Sequence, residues 1–140
     1  MAKPIFQQIN LVVRNMNATV AFYRRLGLEI EVIDEDHVDV ELSNGTSLEF
    51  DSPASVECWD SGWGGSTGGS NILTFALPSR EEVDAVYADL TAYGYRGRQR
   101  PHDAFWGARY AIVEDPDGNG VGLTSPRDRA SAPPTPLAPG

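Results

Sequence analysis

The stretch Phe105-Trp106-Gly107-Ala108-Arg109-Tyr110-Ala111-Ile112-Val113-Glu114-Asp115-Pro116-Asp117-Gly118-Asn119-Gly120 decides how this chain folds. Asp-Pro-Asp-Gly-Asn is turn chemistry: proline presets φ, the Asp and Asn side chains bond their own backbone, and glycine supplies positive φ. The apolar run before it reads as a buried strand, and Val-Gly-Leu-Thr after it reads as the returning one. An aromatic pair precedes the first strand, so Trp106 is expected at the mouth of a sheet, beside a rigid hairpin.

Working outward, the chain reads as two similar halves. The first opens with a strand over residues 8–13. Asn15 or Asn17 caps a helix whose face is Met16, Val20, Tyr23 and Leu26, and Gly27 closes it. Alternation over residues 28–33 predicts a half-buried strand. Val38, Val40 and Leu42 alternate again, Asn44-Gly45 signals a hairpin, and residues 47–51 return. In the second half, residues 72–77 form a strand. Ser79 and Glu82 have capping-box spacing, and Val83, Val86, Tyr87, Leu90 and Tyr93 make a helical face closed by Gly94. Strands over 95–100, 110–114 and 121–124 complete it. A shift of about 67 residues superposes the two helices, as an internal repeat would.

These readings give an α+β fold of two βαβββ units in one domain over residues 1–126. Unit one covers about 5–52 and unit two about 71–126. A Gly- and Ser-rich linker over 53–70 carries Trp59 and Trp63. Residues 127–140, rich in Pro and Ala, are expected to be a disordered tail.

The bulk properties exclude several classes. The net charge is −9 over 140 residues, and the pI is near 4.5. Phosphate binding needs surplus Lys and Arg, so nucleic acid is not the expected partner. No apolar run approaches the roughly 20 residues of a membrane helix, and no signal region opens the chain, so a cytoplasmic protein without a membrane partner is expected. Cys58 is the one cysteine. Its neighbours Glu57 and Asp60 are acidic and no basic partner stands beside it in sequence, so it reads as inert.

The repeated βαβββ order, the run Phe22-Tyr23-Arg24-Arg25-Leu26-Gly27-Leu28, and Asp-Pro-Asp-Gly-Asn before the last strand together resemble the vicinal oxygen chelate superfamily, the glyoxalase, bleomycin-resistance and extradiol-dioxygenase fold. The resemblance covers roughly residues 5–126. Thr67-Gly68-Gly69, the run 105–113 and Asp115-Pro116-Asp117-Gly118-Asn119 are similar to the mitomycin-binding resistance proteins, and bleomycin-resistance proteins carry a similar Trp-Gly-x-Arg before the same turn. That resemblance implies a homodimer with aromatic-lined ligand pockets.

It also implies where a metal would be held. Metal-dependent members place one ligand on the first and one on the last strand of each unit. Gln8 and Glu49 occupy the first unit's positions. The second unit's fall near Ile72 and on Gly122, which have no ligating side chain. His37 and His102, the two histidines, match neither position. The expectation is therefore no metal, no cofactor and no catalysis, although a site rebuilt from Gln8, Glu49 and a displaced histidine stays open.

The expected ligand site is aromatic. Ring faces offer large contact area at low entropic cost. Trp106, Phe105 and Tyr110 head the candidates, followed by Trp59, Trp63, Phe50, Gln8, His37, Arg109 and Glu49. Each has a structural alternative: Trp59 and Trp63 pin a loop, Phe105 is core, Arg109 pairs with a carboxylate. Glu49 and Phe50 point to opposite faces of one strand, and strand register decides which lines the cavity. The expected function is antibiotic resistance by sequestering a planar, hydrophobic drug of the mitomycin, bleomycin or quinone-fused enediyne kind. The alternatives are a metal-dependent lyase, isomerase or dioxygenase, or a carrier of a biosynthetic intermediate.

Overall fold

The computed structural model describes residues 3–69 and 71–128; of the expected 127–140 tail, residues 129–140 lie outside the described residues, and the Asp128 amide donates to the Gly107 carbonyl at 2.7 Å. It is a mixed α+β fold with two sheets and three helices among the described residues. The chain divides into two compact units between Gly69 and Ser70.

The first unit runs β1 (Gln8–Val12), α1 (Met16–Leu26), β2 (His37–Glu41), β3 (Ser47–Asp51) and α2 (Pro53–Trp59). Asn15 caps α1 by accepting from the Ala18 amide at 3.0 Å. Gly27 ends it at φ 122°, a conformation that glycine adopts without steric cost. The sheet order is β1-β3-β2, with β1 parallel and β2 antiparallel to β3. Leu11, Val38, Val40, Leu48 and Phe50 are buried from one side of this sheet. On α1 the buried residues are Thr19, Val20, Phe22 and Tyr23, a face turned slightly from the one the periodicity predicts. Tyr23 stacks on Phe50 with ring centroids 5.0 Å apart.

Two features of this unit correct the sequence reading. No strand forms over residues 28–33, so the unit is βαββ rather than βαβββ. The Ile30 carbonyl accepts from Arg24 Nε and Nη2 at 3.1 and 2.6 Å, so a helix side chain takes the place of a neighbouring strand. Ile33 is left 88% exposed. The expected linker, in turn, begins with a helix. Ser52 accepts from the Ser55 amide, Pro53 occupies the first turn, and Val56 is buried. Cys58 stands exposed on this helix rather than in a loop.

The second unit is the expected βαβββ: β4 (Ile72–Ala76), α3 (Arg80–Ala92), β5 (Gly97–Asp103), β6 (Arg109–Glu114) and β7 (Gly120–Thr124). Its sheet order is β4-β7-β6-β5. Ser79 caps α3 through the Glu82 amide, and Glu81 and Glu82 lie in the positively polarised first turn. Ala111, Val113, Val121 and Leu123 are buried from one side of the sheet, as are Val83 and Leu90 of α3. Tyr93 leaves the predicted helical face and is 63% exposed. β5 continues through Pro101, which an edge strand tolerates at a register shift.

The 115–119 turn is built as its sequence predicts. Asp115, 5% exposed, accepts from the Asp117 and Asn119 amides and from Asn119 Nδ2, each at 2.9 Å. Trp106, however, does not stand beside it. Residues 104–107 form their own turn between β5 and β6, closed from the Gly107 amide to the Ala104 carbonyl at 3.0 Å, with Gly107 at φ 93°. All of β6 separates the two turns, a span of about 20 Å.

Candidate functional site

Each unit turns one sheet face away from its buried apolar side; Gln8, His37 and Glu49 fall on the first such face and Tyr110 on the second.

In the first unit, register decides the composition of that face. His37 is opposite Asp51, Asp39 opposite Glu49, and Asn10 opposite Glu49 on the other flank. Side chains alternate along a strand, so Gln8, Asn10, His37, Asp39, Ser47, Glu49 and Asp51 share one face. Phe50 points the other way and is fully buried against Tyr23. Register thus settles the choice between Glu49 and Phe50: the glutamate faces the polar side and the phenylalanine belongs to the core.

His37 organises this polar face. Its Nδ1 is 2.6 Å from Asp51 Oδ1, and its Nε2 is 2.7 Å from Asp39 Oδ1 and 3.3 Å from Glu49 Oε1. Asp51 is fully buried and also accepts from Asn10 Nδ2 at 2.9 Å and Ser55 Oγ at 3.1 Å. Ser47 Oγ donates to Glu49 at 2.7 Å. The hydrogen bond to Asp51 is the largest influence on the His37 pKa. With the charges of Asp51 and Asp39 it raises that pKa above the ordinary histidine value, against a smaller opposing effect of burial. Gln8 donates to Asn10 Oδ1 at 3.1 Å.

In the second unit, the open face carries a ring cluster. Tyr110 lies 5.4 Å from Trp106 and Trp106 lies 4.9 Å from Phe105, both edge-to-face. Phe105 is 54% exposed, which places it at the rim and not in the core. His102, opposite Tyr110 on β5, sets its ring 6.4 Å away. Its Nδ1 is buried with no hydrogen-bond partner among the described residues. Sequence reasoning missed His102 because Pro101 suggested a loop; the signal was its place two residues before the turn, on the strand that pairs with Tyr110.

Beneath Tyr110 lies Gly122. A Cβ there would meet Tyr110 Oη and Thr74 Oγ1, each at 2.6 Å. Glycine at 122 is what allows the tyrosine to lie flat across β7.

Arg109 is not part of this face. It reaches α3 and β5 instead, bonding Asp84 at 2.9 Å and Asp103 at 3.2 Å. Burial depresses its pKa, but Asp84 and then Asp103 outweigh that and hold it above the usual value. Of the two roles open to Arg109, carboxylate pairing is the one realised. Trp59 and Trp63 belong to the first unit: Trp59 ends α2 at 56% exposure, and Trp63 Nε1 donates to the Ser66 carbonyl at 3.0 Å. A hollow of about 620 Å³ beside α1 is lined by Asn17, Val20, Arg24, Ile30, Val32 and Glu35, among others, and includes none of the predicted ligand residues.

The model of the Glyoxalase/Bleomycin resistance protein/Dioxygenase superfamily matches residues 5–123. The chain belongs to that superfamily. Among solved structures it is similar to a glyoxalase-related enzyme from Fulvimarina pelagi, with 21% identity, 87% of this chain and 88% of the other covered, and a TM-score of 0.77. It is also similar to a glyoxalase/bleomycin resistance protein/dioxygenase from Nocardioides, at 22% identity, with 99% and 92% covered and a TM-score of 0.73. A lactoylglutathione lyase from Agrobacterium tumefaciens aligns at 20% identity, with 89% and 96% covered and a TM-score of 0.66. At these identities the likeness is one of fold. No curated protein matches the sequence. No helix among the described residues is long and apolar enough to cross a membrane.

The metal set that the superfamily's metal-dependent members imply does not fit this chain. Glu49 and Gly122 are third in β3 and β7, and Gln8 and Ile72 are first in β1 and β4. The repeat therefore aligns the four positions as the sequence suggests. Ile72 has no ligating atom, and the space a side chain at 122 would need is filled by Tyr110 and Thr74.

Proposed function

We propose that this protein binds a planar, hydrophobic natural product reversibly, leaves it unaltered, and so confers resistance by sequestration. The observation that supports this most is the Phe105–Trp106–Tyr110 cluster on an open sheet face. Rings held edge-to-face keep their outer faces available, and offset stacking adds about 0.5–1.5 kcal/mol beyond burial. His102, whose ring stands edge-on to Tyr110 at 6.4 Å, extends the aromatic surface of the cluster. Ile72 and Gly122 argue in the same direction, because they supply no ligand at the position where the superfamily's metal-dependent members hold their Lewis acid. On this reading the protein is a cytoplasmic homodimer. Light scattering checks that, and a monomer near 15.2 kDa would contradict it.

Equilibrium dialysis against mitomycin-like, bleomycin-like and quinone-fused enediyne compounds tests the function. The expected result is saturable, stoichiometric binding with the ligand recovered at unchanged mass. Steady consumption of ligand would decide for the competing reading, a metal-dependent lyase, isomerase or dioxygenase with an unusual ligand set. The observation favouring that alternative is the His37–Asp39–Glu49 group.

A further inference from the structure

We propose that His37, Asp39 and Glu49 bind a divalent cation of the Zn²⁺ or Co²⁺ class, with Asp51 holding His37 from behind. This site does not depend on the drug-binding reading. It shares only Glu49 with the metal positions that the superfamily resemblance implies, and it draws its other ligands from β2.

The strand pattern puts the three ligands together. His37 and Asp39 are two apart on β2, and Glu49 is directly opposite Asp39 on β3. One ligand atom from each lies within 4.8 Å of the others. His37 Nε2 is 2.7 Å from Asp39 and 3.3 Å from Glu49. Ligands about 2.0–2.2 Å from one metal are spaced about 3.0–3.5 Å apart in tetrahedral or octahedral geometry, so the trio needs only small side-chain adjustments.

The arrangement around the ring is that of a metal-ligating histidine. A ligating imidazole commonly donates its other N–H to a carboxylate, which fixes its tautomer and orientation. Asp51 meets that requirement at Nδ1, at 2.6 Å, and is itself fully buried and held by Asn10 and Ser55. With that proton toward Asp51, Nε2 turns its lone pair toward two carboxylate oxygens. Without a metal this position is filled by a second ring proton, shared with Asp39 at 2.7 Å; a divalent cation would take that proton's place between the ring and the two carboxylates. The donor set of one imidazole and two carboxylates suits Zn²⁺, Co²⁺ or Mn²⁺ better than Mg²⁺ or Ca²⁺. The Asp39 side chain is 66% exposed and that of Glu49 is 11% exposed, so an ion enters from the Asp39 side. Three protein ligands leave a coordination position open to water or a small anion.

Co²⁺ titration of the full chain, stripped with chelator, tests the site through its visible absorption, with Zn²⁺ as competitor. The expected result is one saturable Co²⁺ per chain, displaced by Zn²⁺. Asp39→Asn and Glu49→Gln each weaken it at least tenfold, while Asp34→Asn, a carboxylate outside the trio, leaves it unchanged. Asp39 is exposed, so its variant keeps the fold, as far-UV circular dichroism checks. Asp51 is a positioning residue: Asp51→Asn weakens Co²⁺ about 10–100-fold and shifts the absorption bands, which a purely structural role would leave in place. Absence of saturable binding, or parental affinity in either Asp39→Asn or Glu49→Gln, overturns the proposal.

Discussion

Gly122→Ala tests the physical link between the missing side chain at 122 and the ring cluster above it. The added Cβ would stand 2.6 Å from Tyr110 Oη and Thr74 Oγ1 and 3.2 Å from Tyr110 Cζ, where ordinary contact begins at 3.4 Å. Tyr110 must therefore lift by several tenths of an ångström. It has little room to do so, because Trp106 is 5.4 Å and His102 6.4 Å from its ring. Overpacking of this kind costs about 1–3 kcal/mol, and losing glycine's freedom in the unfolded chain returns about 0.4–1 kcal/mol. The expected net loss is about 0.5–2 kcal/mol in urea unfolding, with a changed Trp emission or near-ultraviolet circular dichroism signal. Tyr110→Phe removes the hydroxyl and so relieves part of the clash, so the double variant should recover some of the loss, which a double-mutant cycle measures. Parental stability with an unchanged aromatic signal, or strict additivity with Tyr110→Phe, would refute the reasoning.

Other consequences follow from the same contacts. Asp115→Ala leaves the Asp117 and Asn119 amides and Asn119 Nδ2 without the carboxylate they donate to, and should lower unfolding stability by about 3 kcal/mol or more. Arg109→Gln breaks pairs to half-exposed Asp84 and Asp103, and should cost under about 1 kcal/mol while leaving ligand affinity unchanged. In chelator-treated protein, His37 has a folded pKa above its unfolded one, with Asp51 the largest cause and Asp39 adding to it; Glu49 also faces the ring. Its contribution to stability is then full below about pH 6.5 and fades as pH rises through the elevated folded value. Urea midpoints measured from pH 5.5 to 8.5 should fall on this limb in the parent and flatten in His37→Asn.

Much of the fold was legible because local chemistry and tertiary structure agree. The caps Asn15 and Ser79, the closing glycines Gly27 and Gly94, and the Asp115 turn all form as their sequences predict. Two misreadings have specific causes. Residues 28–33 alternate like a strand, but pattern alone does not reveal that Arg24 will take the Ile30 carbonyl. α2 was hidden inside a Gly- and Ser-rich segment, though Ser52-Pro53 is a helix-start signal.

The site was legible in its residue types and not in its geometry. Trp106, Phe105 and Tyr110 were singled out by sequence, and the structure brings them together. The company of His37 depended on a loop length. Leu42 and Thr46 pair across residues 43–45 with Gly45 at φ 85°, which sets His37 opposite Asp51. A two-residue Asn44-Gly45 turn would shift the register by one and place Asp51 on the other face. Likewise, the sequence marked Gly122 as a lost ligand position, whereas the structure supplies a reason for glycine there, the Tyr110 ring.

The most direct test of the drug-binding account is Trp fluorescence quenching by a panel of planar antibiotics, in the parent and in Trp106→Ala, with each ligand checked afterwards by mass. The account predicts saturable quenching by at least one compound, recovered intact, and an affinity lower by about 1–3 kcal/mol, roughly 5–150-fold, in Trp106→Ala. Equal affinity in the variant, or a ligand converted to product, would contradict it.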